Sequence, residues 1–257
     1  MRKALTLLYG GTSYLIFFAT FLYLIGFLAD LEVLPRTINR GPAASLPTAL
    51  LIDFGLVALF GLQHSVMARR GFKQWWTKFV PKPIERSTYV MASNVVLIAM
   101  FALWRPIDVP IWEATSTAGL AVGYGVFVLG MLVVLVSTFI INHFELFGLR
   151  QVVAYAAERE DRPLSFQARF LYKFVRHPIY LGWTIAFWGT PTMSGGHLLF
   201  AAGMTAYMLI AIQLEEVDLV HQYGDRYERY RNKVPMLLPW RGRRVVGDER
   251  RSEPVAG

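Results

Sequence analysis

The sequence predicts an all-α protein: a polytopic transmembrane helix bundle of five to six spans, the last two forming a helical hairpin. Three observations predict it. Hydrophobic residues make up 54% of the 257 residues and charged residues only 17%, too apolar for an ordinary soluble domain. Apolar segments of roughly 17–25 residues, the length that crosses a bilayer, recur along the chain. Lys and Arg cluster between alternate segments and avoid the others.

Each element follows from its own residues. Arg2 and Lys3 precede an apolar run from Ala4 to Ala29. That run is too long for a signal core and lacks a small-x-small cleavage site, so it is expected to be retained as the first span, Leu5–Leu28. Leu46–Met67 makes the second, with Asp53 near its start and His64 near its end. Tyr89–Trp104 is a short third span bounded by Arg86 and Arg105. Ala118–Ile141 is the fourth and contains Gly119-x-x-x-Gly123, a spacing that lets helices approach closely. Ile179–Pro191 is short, Met193-Ser194-Gly195-Gly196 is expected to turn, and His197–Leu214 returns. The total is six crossings, or five if this hairpin stops short.

The connections are equally legible. Asn142–Arg176 is the longest, with Glu158-Arg159-Glu160-Asp161-Arg162-Pro163 expected as an exposed loop. Ser165–Phe174 is expected as an amphipathic interfacial helix, since Phe166, Phe170 and Phe174 recur at fourfold spacing. Beyond Leu214, Gly224 ends one helix, and Asp225 with Glu228 reads as a capping box for the next. That places Tyr227 and Tyr230 on one face, before Val234-Pro235 stops the helix. Residues 1–240 are expected to form a single membrane domain, and the polar, aperiodic residues 241–257 a disordered cytoplasmic tail.

Charge sets the orientation. With both termini cytoplasmic, 23 of the 26 basic residues fall on inner segments and only Arg36, Arg40 and Arg105 on outer ones. This positive-inside pattern accounts for the net charge of +8 without a nucleic-acid partner. The same topology brings His64, His143, Glu145, His177, Glu215, Glu216 and His221 to the inner end, while His197 alone among the five histidines lies outside. Polar groups at membrane depth are costly and usually face a cavity or a partner, so a shared polar pocket is expected there.

Arg176-His177-Pro178-Ile179-Tyr180-Leu181-Gly182 opens that pocket. Pro178 suits the first turn of a helix and pushes His177 out of helical geometry. The helix N-terminus beyond it offers free N–H groups and a positive dipole end to an anionic group. Without cysteine there is no disulfide, thiolate metal site or cysteine nucleophile. His143-Phe144-Glu145 with His64 fits no standard zinc spacing, so no metal is expected. No Gly-rich phosphate loop, Gly-x-Ser-x-Gly elbow or Rossmann signature appears.

Arg176-His177-Pro178-x-Tyr180-x-Gly182, Glu215-Glu216-x-x-Leu219, Tyr223-Gly224-x-x-Tyr227-x-x-Tyr230 and Val234-Pro235 together resemble the isoprenylcysteine carboxyl methyltransferase-like membrane superfamily. Gln63-His64-Ser65 and Asn142-His143-Phe144-Glu145-Leu146-Phe147-Gly148-Leu149-Arg150-Gln151 narrow the resemblance to the bacterial membrane-bound methanethiol S-methyltransferases. The Gln-His-Ser element also occurs in a family linked to nitrite and nitric oxide reduction. The resemblance implies a cytoplasmic cofactor pocket for S-adenosyl-L-methionine in a bacterial inner (cell) membrane, with a small thiol as acceptor. It assigns Arg176, His177, Pro178, Tyr180, Leu181, Glu215, Glu216, Tyr227 and Tyr230 to the cofactor. It departs at Lys233, where carboxyl-methylating members carry Arg, so a bidentate clamp for a substrate carboxylate is missing.

Thiolate is the reactive form of a thiol, so a nearby base is expected. His64 and His143 are the candidates, with Glu145 orienting one imidazole and Arg150 able to stabilise a thiolate by charge. An interfacial cap for His64 and loop packing for His143 are the plain structural alternatives. Two other functions would suit the same chain: methyl transfer to a lipid or isoprenoid-linked group, and a non-enzymatic nitric-oxide-associated membrane protein.

Overall fold

The computed structural model of the chain describes residues 2–160 and 168–239. The first long helix, α1 (Arg2–Leu28), is followed by α2 (Leu46–Ala68), whose Pro47 occupies the first turn where a missing N–H costs nothing. A short α3 (Arg70–Trp76) leads to α4 (Lys82–Leu103). This third span starts seven residues earlier than its apolar run, because Pro83 and Glu85 suit a first helical turn. A strand, β1 (Pro110–Glu113), precedes α5 (Thr117–Ile141), which Ser116 caps by accepting a hydrogen bond from the Gly119 N–H at 3.1 Å. Two short helices follow, α6 (His143–Leu146) and α7 (Leu149–Ala156), then α8 (Pro178–Trp188). Strand β2 (Thr192–Ser194) feeds α9 (Gly195–Tyr223), and α10 (Asp225–Lys233) closes the described chain.

Five of these helices are long and apolar enough to cross a membrane: α1, α2, α4, α5 and α9. Their pairings alternate direction. Tyr9 meets Thr88 and Phe27 meets Trp104, so α1 and α4 run parallel. His64 meets Ser93 while the Asp53 carboxylate accepts from the Arg105 N–H, so α2 runs against α4. Arg69 pairs with Asp218 at 2.9 Å, and Gly61 abuts Tyr207, so α2 and α9 run together. One end of the bundle therefore gathers Arg2, Lys3, Arg69, Arg86, Arg150 and Arg176; it is called the basic end below.

The sixth pass is composite. Helix α8 is 11 residues, about 16 Å, half the length of the 25-residue α5 beside it, about 37 Å. The chain covers the rest extended, through Gly189-Thr190-Pro191 and β2, at roughly 3.3 Å per residue. Irregular backbone at such depth needs internal partners. Pro191 O accepts from the Ala114 N–H at 2.9 Å, Thr190 O accepts from Trp112 Nε1 at 3.1 Å, and β2 pairs antiparallel with β1. The expected turn at Met193–Gly196 is thus corrected. Met193 and Ser194 belong to a strand, and Ser194 caps α9 by accepting from the His197 N–H at 3.1 Å.

Glycine lets α8 press on α5. A Cβ on Gly130 would stand 2.5 Å from the Ala186 nitrogen, and one on Gly182 2.7 Å from the Val134 nitrogen. Gly123 likewise faces Pro191 at 2.5 Å, whereas Gly119 meets Ala114 and Ser116 of its own lead-in. The close-packing stripe is therefore Gly123 against Pro191 and Gly130 against Gly182 and Ala186, not the Gly119–Gly123 pair.

Two further expectations change. The described part of Ser165–Phe174 is a 3-10 turn, Phe170–Lys173, with Phe170 and Phe174 exposed, while Ser165 and Phe166 lie outside the described residues, as do 241–257. No capping box forms at Asp225: Gly224, at φ +54°, is itself the N-cap, so Asp225 and Glu228 serve as first-turn acids facing the helix dipole.

Candidate active site

The N-terminus of α8 and the basic end of α9 form the first part of the site. The Glu216 carboxylate, 6% exposed, accepts from Arg176 Nε at 2.7 Å and from His177 Nε2 at 3.0 Å. Arg176 also donates through Nη1 to the carbonyls of Arg231 (2.9 Å) and Val234 (2.6 Å). Its backbone N–H and that of His177 reach the carbonyls of Pro235 and Met236. This clasp fastens the segment after α10 over the start of α8. Glu216 and Arg176 neutralise each other, so neither is a free charge.

Glu215 differs. It is half-buried and accepts from the Tyr180 hydroxyl at 3.0 Å, with His177 Nδ1 4.0 Å away. Pro178 has no N–H and the His177 N–H is taken, which leaves Ile179 and Tyr180 as the first-turn donors that α8 does not use internally. Leu181 donates back to the His177 carbonyl within the helix. Tyr227 and Tyr230 lie on one face as expected, 5.8 Å apart, but their rings join Val234 in a small apolar cluster. The Tyr230 hydroxyl donates to the Tyr172 carbonyl at 2.6 Å. Burial pushes both phenols above their ordinary range, so they stay neutral.

The two candidate bases occupy different surroundings. The Ser93 hydroxyl donates to the Tyr89 carbonyl one turn back, at 3.1 Å, so toward His64 it acts as acceptor. His64 Nδ1 therefore carries the proton and donates to Ser93 Oγ at 3.1 Å. Its Nε2 keeps an open lone pair, with no partner among the described residues. At His143 the same logic gives the same tautomer but a filled lone pair. The Thr138 hydroxyl donates to the Leu135 carbonyl at 2.7 Å, so His143 Nδ1 donates to Thr138 Oγ1 at 2.9 Å. Nε2 then accepts from the Tyr14 hydroxyl at 2.9 Å. Both nitrogens of His143 are engaged, its ring stacks on Phe139 at 4.4 Å, and burial holds its pKa below the ordinary value.

No described contact joins Glu145 to either imidazole. Its carboxylate meets Arg150 Nε at 3.3 Å, on the turn between α6 and α7. Gly148, at φ +85°, makes that turn, and a Cβ there would stand 2.7 Å from the Ser87 nitrogen of α4. Arg86 of α4 closes the same corner, donating to the Leu146 carbonyl at 2.7 Å. His221 lies apart, exposed, on the Val217 carbonyl. No group of three or more metal-ligating side chains occurs among the described residues.

Sequence reasoning missed Tyr14, Tyr89, Ser93 and Tyr207, the partners that give each imidazole its setting. Ser93 and Asn94, adjacent polar residues inside a short span, were the available signal.

The phospholipid methyltransferase family profile matches residues 118–226, which hold α5 through the start of α10. Methanethiol S-methyltransferase of Crocosphaera subtropica is 50% identical over 244 residues, 95% of each chain. The enzyme of that name from Mycobacterium tuberculosis is 50% identical over 240 residues, 93% of this chain and 98% of its own. That of Pseudomonas deceptionensis is 55% identical over 207 residues, 80% of this chain and 78% of its own. No solved structure matches. Shared residues on that scale, running nearly from end to end, show that the chain belongs to the methanethiol S-methyltransferase family.

Proposed function

We propose that this protein transfers the methyl group of S-adenosylmethionine to methanethiol, giving dimethyl sulfide, at the cytoplasmic face of a bacterial inner membrane. The observation that carries the acceptor is the near full-length similarity to proteins named for that reaction. The donor set at α8 fits the cofactor. Its carboxylate suits the Ile179 and Tyr180 N–H groups at the helix start. Its ammonium or ribose hydroxyls suit Glu215, whose carboxylate, unlike that of Glu216, is not held by an arginine. Pro178 and Leu181 shape that first turn, and Tyr227 and Tyr230 hold α10 against α9 behind it.

When bound, the donor supplies an activated sulfonium methyl. The chain's own work is to place the thiol in line and to accept its proton. His64 Nε2 has the free lone pair for that role. The thiol sulfur would take the methyl group that the donor supplies, and its proton would pass to His64 Nε2. His143, with both nitrogens engaged, positions α6 instead, and Arg150 and Glu145 brace the turn beyond it. The catalytic unit is a single domain over residues 1–240.

The test is direct. Full-length protein in membranes is given S-adenosylmethionine and methanethiol, and the headspace is analysed by gas chromatography. Dimethyl sulfide is expected. Protein that binds the cofactor by isothermal titration yet forms none would refute the acceptor, and protein that binds none would refute the donor.

A further inference from the structure

Three helices close an aromatic box on His64 that the cofactor residues do not use. On α2, Phe54, Leu59, Leu62 and Val66 are exposed and mark the outward face. His64 lies on the opposite face by helical periodicity, toward the bundle interior, yet it is only partly buried. Phe60, one turn earlier, stacks on it with centroids 5.2 Å apart. Tyr89 of α4 tilts against it at 5.0 Å, and the Arg86 guanidinium lies over the Tyr89 ring at 4.9 Å. Tyr207 of α9 meets it edge-on at 6.4 Å.

Tyr207 reaches this place because residue 61 is glycine. A Cβ there would stand 2.8 Å from Cδ2 of the Tyr207 ring. Glu215 lies eight residues further along the same helix, about 12 Å toward the basic end.

We propose that the box formed by Phe60, Tyr89 and Tyr207 around His64 Nε2 is the thiol subsite, and that Tyr207 is the wall limiting the acceptor to a one-carbon thiol. The inference rests on the methyl-transfer reading above and adds where the acceptor sits and what selects it. Methanethiol has three needs: an apolar wall for its methyl group, polarizable surroundings for its sulfur, and one acceptor for its S–H. Aromatic edges favour sulfur, ring faces cover a methyl, and Nε2 is the acceptor. A longer alkyl chain would run into the Tyr207 ring, which already packs on the bare Gly61 backbone of α2.

The experiment offers purified full-length protein methanethiol, ethanethiol and propanethiol with S-adenosylmethionine, and quantifies the methyl sulfides formed. Tyr207→Leu is expected to raise the ethanethiol-to-methanethiol ratio of kcat/KM about tenfold or more, the discrimination that one methylene carries. Tyr207→Phe, which restores the ring, returns the ratio to that of the natural protein. An unchanged ratio in Tyr207→Leu protein that still binds the cofactor overturns the proposal. Should that variant not fold, Gly61→Ala displaces the same ring from the α2 side. It is expected to raise KM for methanethiol and to move the ratio, and leaving both unmoved overturns the proposal equally. Unsubstituted protein that binds the cofactor but methylates no thiol refutes the functional reading itself, a result distinct from an unmoved ratio.

Discussion

Ser93 and Thr138 each give their hydroxyl hydrogen to a carbonyl of their own helix, and that choice decides what the neighbouring histidine can do. His64 keeps an unused Nε2 lone pair, while His143 has its own filled by Tyr14. A positioned base contributes about 10²–10⁴-fold, so His64→Ala is expected to lower turnover on that scale while isothermal titration shows unchanged cofactor affinity. His143 acts on stability instead. Burial disfavours its charged form, so its folded pKa lies below the roughly 6.5 of the unfolded chain. Between those two values the unfolded chain binds more protons, so stability is complete above the window and falls as pH drops through it. Thermal unfolding followed across that range should show this slope, and His143→Gln should flatten it while lowering the midpoint throughout. A slope equally steep in the variant would remove His143 as its source.

At the scale of elements, the α5–α8 contact does most to place the site, because α8 carries His177 and the free N–H groups. Gly130→Ala puts a methyl 2.5 Å from the Ala186 nitrogen, backbone that cannot swing aside. Overpacking of this kind costs about 1–3 kcal/mol, and the displaced α8 should also bind cofactor more weakly. Gly125→Ala, on the same helix with nothing within 4 Å, is expected to gain about 0.5–1 kcal/mol from helix propensity. Thermal midpoints and titration of the two variants check both signs. The long elements were legible in the sequence because a span of apolar residues has few other homes. Contacts between them were less so. Gly119-x-x-x-Gly123 matched a known spacing, yet the residues that touch are seven apart, Gly123 and Gly130, and only the partner helix reveals which glycines face it. The capping box failed for a related reason: Gly224 can adopt φ +54°, so the helix starts one residue sooner than its acids imply.

For the whole molecule, the alternation of basic and neutral connections predicts which residues share an end, since each pass reverses direction. It therefore brought His64, His143, His177, Glu215 and Glu216 to one depth before any coordinates. It could not say who pairs with whom there. Tyr14, Ser93 and Tyr207 look in sequence like ordinary packing residues of apolar spans, and a tyrosine's hydroxyl acquires meaning only from the atom it meets. The clasp is of the same kind: Arg176 and His177 reach residues 231–236, some 55 to 60 positions away, through backbone carbonyls that carry no side-chain signature. That clasp sets a boundary for the catalytic unit. A chain ending at Pro239 keeps every described contact to α8 and is expected to bind S-adenosylmethionine as the full chain does. A chain ending at Gly224 loses the four carbonyls that accept from Arg176 and His177. It leaves a nearly buried guanidinium to Glu216 alone, and each lost hydrogen bond to such a charged group costs about 1.5–3 kcal/mol. Its cofactor affinity should fall beyond detection in titration, with a lowered thermal midpoint. If the shorter chain instead binds as tightly as the longer one, the segment after α10 is a strap on the surface, and α8 and α9 alone suffice to hold the donor.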